Sequence, residues 1–274
     1  MTVEDLIVYG KKYLHTMDVR LLLSFVLGYD NLELLNHLND FVSDDIVFKY
    51  KDIIKRLLDG EAIQYIIGNV NFYGNEFKIN KNVLIPRFET EELVEKTLNI
   101  LNEKFSDYDS VKILDVGCGS GVIGITLDKL YKKSIVTCSD ISQYALDTTA
   151  LNAKLLESDI NVIKSDMLKN INGKYDVIIS NPPYIMEEEQ IELKVKNNEP
   201  HIALYGGKDG LKYYREILST AKKNLNDKYL IAFEIGWQQK DAIISIAKEF
   251  FDNSTIECFQ DMSQKDRIIL IYNV

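Results

Sequence analysis

Histidine, cysteine and proline are scarce in this chain of 274 residues, at three, three and four. His15, His37 and His201 are scattered, which leaves a histidine-built metal site or a Ser-His-Asp arrangement little to stand on. Cys118, Cys138 and Cys258 are odd in number and lack the short paired spacings of zinc and redox sites, so all three read as reduced, buried fillers and no metal is expected. No apolar run approaches the ~20 residues that cross a bilayer. Met1-Thr2-Val3-Glu4-Asp5-Leu6 carries acids where a secretory signal peptide carries a basic region. The expectation is a cytoplasmic protein with no membrane segment. Internal repeats and low-complexity stretches are also missing.

Positive charge is in short supply too: 32 Lys and Arg stand against 42 Asp and Glu, for a net charge of −10. A protein that neutralises phosphates over a broad surface needs the opposite sign, so the balance favours a protein or small-molecule partner over nucleic acid. Apolar content of 46% and charged content of 27% are those of an ordinary globular protein. At roughly 150 residues per domain the length suits two domains.

Two of the four prolines are adjacent, and the chain is organised around them. Residues 175–180 read as a buried strand with a β-branched centre, and Pro182 and Pro183 cannot donate to a sheet ladder, so the strand ends where Asn181 begins. In an open α/β sheet that carboxyl rim is where ligands bind. The prolines hold Asn181 and Tyr184 in extended geometry, suited to a planar target.

From Val3 to about Gly68 apolar residues recur at helical spacing, as in Val19, Leu22, Leu23 and Val26, with Ser43 placed to cap a helix. Residues 69–85 change character, and the stretches 72–79 and 83–85 read as two short strands of a hairpin linker. A helix follows through Leu101, with Glu89 or Thr90 as its cap. Beyond Ser110 strands over 111–116, 134–139, 160–164, 175–180 and 229–235 alternate with helices. Two closing strands, 254–259 and 267–272, are joined without a helix. This is a doubly wound sheet of seven strands.

Asp115-Val116-Gly117-Cys118-Gly119-Ser120-Gly121 follows the first of these strands and opens a helix. Its glycines permit a tight turn and a close ligand, and the helix start presents free N–H groups. Gly119, Gly121 and Gly124 formally satisfy the dinucleotide fingerprint, and Asp140 lies about 20 residues on, where a ribose-binding acid belongs. An NAD-like and an S-adenosylmethionine-like cofactor therefore compete. The second is favoured because Asp115 suits a cationic amino-acid moiety, Asp166 can accept from an adenine amino group, and Met167 can cover its ring. No redox residue accompanies them.

A planar NH2 group has its lone pair delocalised, so a catalyst that methylates it holds both N–H bonds in acceptors. The Asn181 side-chain oxygen and the Pro182 carbonyl are two such acceptors. Tyr184 can stack on the flat target or face a sulfonium.

Together, Asp115 to Gly121 and Asn181-Pro182-Pro183-Tyr184 resemble the class I S-adenosylmethionine-dependent amino-methyltransferases. Two further stretches narrow the resemblance: Gln64-Tyr65-Ile66-Ile67-Gly68 leading to Leu84-Ile85-Pro86-Arg87-Phe88-Glu89-Thr90-Glu91, and Glu199-Pro200 leading to Ala203-Leu204-Tyr205-Gly206-Gly207. Both are similar to the protein-(glutamine-N5) methyltransferases of peptide chain release factors, the HemK/PrmC family. Phe88 stands where that family has proline.

The resemblance implies an α/β fold of class I methyltransferase, Rossmann-like type, with a seven-stranded sheet. Residues 1–68 would form a helical recognition domain, 69–85 a β-hairpin linker and 86–274 the methyltransferase domain. S-adenosylmethionine would be the donor and S-adenosylhomocysteine the product, and the acceptor would be the glutamine of a Gly-Gly-Gln motif. Gly117, Cys118, Gly119, Ser120, Gly121, Asp140, Met167 and Asn181 would bind the cofactor, joined by Asp166 from the reading of the strand ends above. Asn181, Pro182, Pro183 and Tyr184 would bind the substrate, with Asn181, Pro182 and Tyr184 catalytic. The partner would be a release factor met by a monomer without direct nucleic-acid contact. A nucleic-acid adenine-N6 methyltransferase is the alternative.

Overall fold

The computed structural model describes residues 1–274 apart from the side chains of Asn31 and Lys194. It divides into two units, Met1–Asn69 with Glu192–Asn198, and Val70–Ile191 with Glu199–Val274. The first is built from α1 (Val3–Gly10), α2 (Thr16–Leu27), α3 (Asn31–Asn36), α4 (Asp44–Leu58) and α5 (Ile63–Ile67). Polar side chains start three of these helices. Thr2 and Asp5 form a reciprocal capping box, as do Asp30 and Glu33, and Ser43 Oγ accepts from the Ile46 amide as the spacing predicts. Gly28 ends α2 in the left-handed conformation. Val19, Leu22 and Leu23 are fully buried against a core that includes Leu6, Tyr50, Ile53 and Ile54.

A hairpin follows α5, formed by β1 (Asn69–Phe72) and β2 (Asn75–Lys78). Sequence reading placed the second strand over 83–85, and the structure moves it earlier. Tyr73 and Gly74 both have positive φ, 50° and 77°, which makes a two-residue turn of the primed type inside what reads as one strand. Residues 83–85 are irregular instead, with the Val83 amide turned to the Asn80 carbonyl and the Ile85 amide to Glu199. Next comes α6 (Phe88–Lys104), whose first residue is Phe88. Proline is favoured at that position because its fixed φ suits a helix start, so phenylalanine there leaves the helix intact.

The main sheet is laid down by β3 (Val111–Val116), α7 (Val122–Leu130), β4 (Ser134–Asp140), α8 (Gln143–Leu155), β5 (Asn161–Lys164) and β6 (Tyr175–Ser180). After β6 the chain runs through α9 (Leu193–Asn198), which belongs to the helical unit, where Asn198 Nδ2 donates to the Gly60 carbonyl at 2.7 Å. It continues with α10 (Lys212–Ala221), β7 (Leu225–Glu234), α11 (Lys240–Phe250), β8 (Thr255–Gln260) and β9 (Asp266–Asn273). The strand order is β5-β4-β3-β6-β7-β9-β8, parallel from β5 to β7 and antiparallel at β9.

Every residue of β6 is buried, as a strand covered on both faces requires. Val177 and Ile179 face one core cluster and Ile178 the other, following the period of two. The carboxyl ends of β3, β4, β5 and β6 therefore share one rim. Cys118 and Cys138 are buried as expected, whereas Cys258 on outer strand β8 is only half-buried. Among the described residues no helix is long and apolar enough to cross a membrane.

Candidate active site

A cavity opens along that rim. It is lined by Gly117 and Gly119 after β3, Asp140 ending β4, Ser165, Asp166 and Met167 after β5, and Asn181 and Pro183 after β6. Residues 82–84, together with Ile202, Ala203 and Tyr213, supply other parts of its lining. Of the sequence-expected residues, the structure thus brings together Gly117, Gly119, Asp140, Asp166, Met167, Asn181 and Pro183.

Gly117 and Gly119 have φ of 74° and 57°, and a Cβ on either would meet nothing within 4 Å. Backbone conformation demands glycine there, and the missing side chains leave room beside the main chain. Cys118, Ser120 and Gly121 do not line the cavity. Cys118 Sγ lies 3.4 Å from Thr149 Oγ1, and Gly121 would drive a Cβ to 2.8 Å from the Thr149 methyl. The Ser120 carbonyl accepts from Asn152 Nδ2 at 2.8 Å. Asn152 is fully buried and also exchanges two hydrogen bonds with the backbone of Lys78, so one carboxamide ties the glycine loop to the hairpin.

Asp140 uses both oxygens: Oδ2 accepts from the Gly119 amide at 3.0 Å and Oδ1 from the Ser142 amide at 2.8 Å. Burial pushes its pKa above the ordinary carboxylate value, against the pull of those amides. Each oxygen keeps a further lone pair for a ligand. Asp166 pairs with Lys169, and Met167 is held at φ 47°, an unusual conformation for a residue with a side chain, while Ser165 Oγ donates to its carbonyl.

Asp115 departs from the sequence expectation. It is fully buried and outside the cavity lining, with Oδ2 accepting from the Gly124 amide at 3.0 Å and Oδ1 without a partner. Burial pushes its pKa up to about 7, and the neighbouring Asp140 charge acts in the same direction.

At Asn181 a hydrogen-bond chain comes in from two other elements. Asn181 Nδ2 donates to Thr90 Oγ1 at 3.2 Å, and Thr90 Oγ1 donates to Glu234 Oε2 at 2.6 Å. Thr90 is therefore no helix cap, since Arg87 holds that position and the Thr90 hydroxyl is spent within the chain. Nothing among the described residues donates to Asn181 Oδ1 or to the Pro182 carbonyl. Glu234 ends β7, 1% exposed, and burial raises its pKa to about 7 while Thr90 and Arg267 oppose the rise.

Pro182 and Tyr184 lie beside the cavity lining. Burial raises the Tyr184 hydroxyl pKa, as does the nearby Glu234 charge, and the ring packs with the core cluster that contains Tyr214 and Phe233. Its carbonyl accepts from Gln239 Nε2 at 2.9 Å and would lie 2.3 Å from a Cβ on Gly210. Gly206 stands in the same relation to the Pro183 carbonyl, at 2.5 Å. These two glycines let the 206–210 loop lie directly on the Asn181-Pro182-Pro183-Tyr184 backbone.

Sequence reasoning missed Thr90 as a member of the site and missed Glu234 altogether. The strand-end rule that found Asn181 applies equally to Glu234, the last residue of the next parallel strand. Buried Glu199, quoted only as part of a motif, pairs with Arg87 and accepts from the Ile85 amide, so it clamps the segment after residues 82–84.

A glycine loop, a ribose-competent acid and a proline-terminated strand on one rim of this sheet define a class I methyltransferase. The same sheet architecture occurs in a methyltransferase from Pyrococcus furiosus, which aligns with a TM-score of 0.56 at 16% identity over 81% of this chain and 98% of the other. Residues 89–198 match the Methyltransferase small domain family and residues 14–68 the PrmC N-terminal domain family. A release factor glutamine methyltransferase of Bacillus subtilis is 37% identical over 91% of this chain and 88% of its own length. Its counterpart from Clostridium botulinum is 36% identical over 98% of both. The chain belongs to the family of release factor glutamine methyltransferases.

Proposed function

We propose that this protein transfers a methyl group from S-adenosylmethionine to N5, the side-chain amide nitrogen, of the glutamine in the Gly-Gly-Gln motif of peptide chain release factors. The observation that carries the reading is the Asn181 carboxamide, held through Nδ2 by Thr90 with Oδ1 left to accept. The names of its relatives support the same substrate.

The residues present fit the cofactor. Asp140 offers lone pairs to ribose hydroxyls from a carboxylate already fixed by two amides. Gly117 and Gly119 leave space against the backbone, and Asp166 and Met167 offer an acceptor for an adenine amino group and a thioether for its face. Asp115 Oδ1, buried and unpartnered close behind the loop, adds negative potential toward a cationic amino-acid moiety. Cys118, Ser120 and Gly121 serve by shaping the loop.

When bound, S-adenosylmethionine supplies an electrophilic methyl group on a sulfonium. The Asn181 oxygen and the Pro182 carbonyl accept the two N–H bonds of the target amide and aim its nitrogen lone pair. As that nitrogen gains positive charge its N–H groups become stronger donors, so both acceptors bind the transition state more tightly than the ground state. No base removes a proton beforehand, because an amide N–H is far too weakly acidic. Once the methyl has left the sulfonium for the nitrogen, the resulting cation is strongly acidic and gives up one N–H proton to water, leaving the neutral N-methylamide and S-adenosylhomocysteine. Pro183 flanks the flat group, and Tyr184, its ring packed against the core, holds the backbone behind it.

The helical domain over residues 1–68 would recognise the release factor, and the protein would act as a cytoplasmic monomer. The net charge of −10 supports a protein acceptor over nucleic acid. Transfer of label from S-adenosylmethionine to intact release factor, with DNA and RNA in parallel, tests the reading. Label on the Gly-Gly-Gln glutamine is expected, and label on adenine alone would replace it with the adenine-N6 alternative.

A further inference from the structure

A carboxamide has two ends of nearly equal size, and only one orientation of Asn181 serves an NH2 substrate. Turned by 180°, it would set its own NH2 against the target NH2, donor against donor. Local packing does not distinguish the two, so some group must set the polarity.

We propose that Glu234, acting through Thr90, is a positioning residue that holds Asn181 with its oxygen toward the substrate amide. This rests on the acceptor role of Asn181 given above. An ionised carboxylate only accepts, and the single hydroxyl hydrogen of Thr90 goes to Glu234 Oε2 at 2.6 Å. Thr90 Oγ1 then has only lone pairs left, so it takes the NH2 end of Asn181, at 3.2 Å. The negative charge thus dictates the direction of every bond in the chain. The anchor is firm, because the Glu234 carbonyl accepts from Tyr214 Oη at 2.8 Å. Protonated, Glu234 can itself donate to Thr90, which frees the threonine hydrogen for Asn181 and lets the amide turn.

The groups facing Glu234 are Thr90 and Glu89 from α6, Arg267 from β9, Tyr214 from α10, and Asn181 and Tyr184 beyond β6. Arg267 favours its charge, as does the Asn181 NH2, which reaches toward the carboxylate as well as to Thr90, and Glu89 opposes it. With its pKa raised to about 7, the carboxylate changes charge near neutrality.

The test is single-turnover methyl transfer to intact release factor at saturating cofactor across neutral pH, with calorimetric binding of both ligands. Thr90→Val is expected to slow transfer about 10- to 100-fold with both affinities nearly unchanged, and Thr90→Ser to return it to within about threefold of the parent. The parent rate is expected to rise with pH through about 7, and Glu234→Gln to flatten that rise. Parent-like transfer by Thr90→Val, a Thr90→Ser as slow as Thr90→Val, or an unchanged pH profile in Glu234→Gln overturns the proposal. Where Thr90→Val does not fold, the Glu234→Gln profile decides. A parent enzyme that labels no release-factor glutamine defeats the functional reading and this proposal together. A parent that labels it with an indifferent Thr90→Val defeats the relay alone.

Discussion

The Gly119 amide donates to Asp140 Oδ2 at 3.0 Å, which joins the glycine loop after β3 to the acid that ends β4. One carboxylate therefore shapes the loop and faces the cavity. Asp140→Ala removes charge-assisted hydrogen bonds worth roughly 1.5–3 kcal/mol each and is expected to weaken S-adenosylmethionine binding by one to two orders of magnitude. Calorimetry on the folded variant checks this, and unchanged affinity would move the ribose site elsewhere.

Asp115 sets a pH dependence of stability. Its folded pKa, about 7, lies above the ordinary 3.8, so the folded state binds this proton more tightly than the unfolded chain. The stability it contributes is present below about pH 4 and is lost as pH rises through 7. Asp115→Asn retains an acceptor for Gly124 and carries no charge to bury. Relative to the parent, the variant is expected to gain on the order of 2–4 kcal/mol between pH 5 and pH 8. Urea unfolding at both values measures it, and Glu234, which shifts in the same sense, cancels because both proteins carry it. A difference that does not change with pH would remove the charge from Asp115.

The strand and helix alternation after Ser110 was readable because buried parallel strands are continuous apolar runs, each followed by a helix of different period. Asn181 was readable for a covalent reason, since two prolines end a strand whatever surrounds it. The hairpin was misplaced because residues 72–79 hold enough β-formers to pass for one strand, and only the positive φ of Tyr73 and Gly74 reveals the turn. Thr90 reads as a cap because threonine near a helix start has that local use. Its actual partner, Glu234, is 144 residues away, and no local pattern encodes such a pair. Asp115 was expected to face the ligand, yet the Gly124 amide at the start of α7 captures it first.

Assigning recognition to the helical domain predicts a separation of activities. Deleting residues 1–68 is expected to leave S-adenosylmethionine binding in place and abolish most methylation of intact release factor. Calorimetry and label transfer on the same preparation check it, and transfer at the parental rate would return those residues to a packing role.

The proposed role of Asn181, accepting from the target amide, makes the sharpest chemical demand on the site. By comparison with loss of one preorganised donor in an oxyanion hole, Asn181→Ala is expected to cost about 3–4 kcal/mol in the chemical step, roughly 10²–10³ in rate. The decisive measurement is single-turnover methyl transfer to intact release factor by Asn181→Ala, beside calorimetric cofactor binding by the same protein. That loss of transfer is expected with the fold and most of the cofactor affinity kept. Near-parental transfer would contradict it and leave Asn181 as no more than the residue that ends β6.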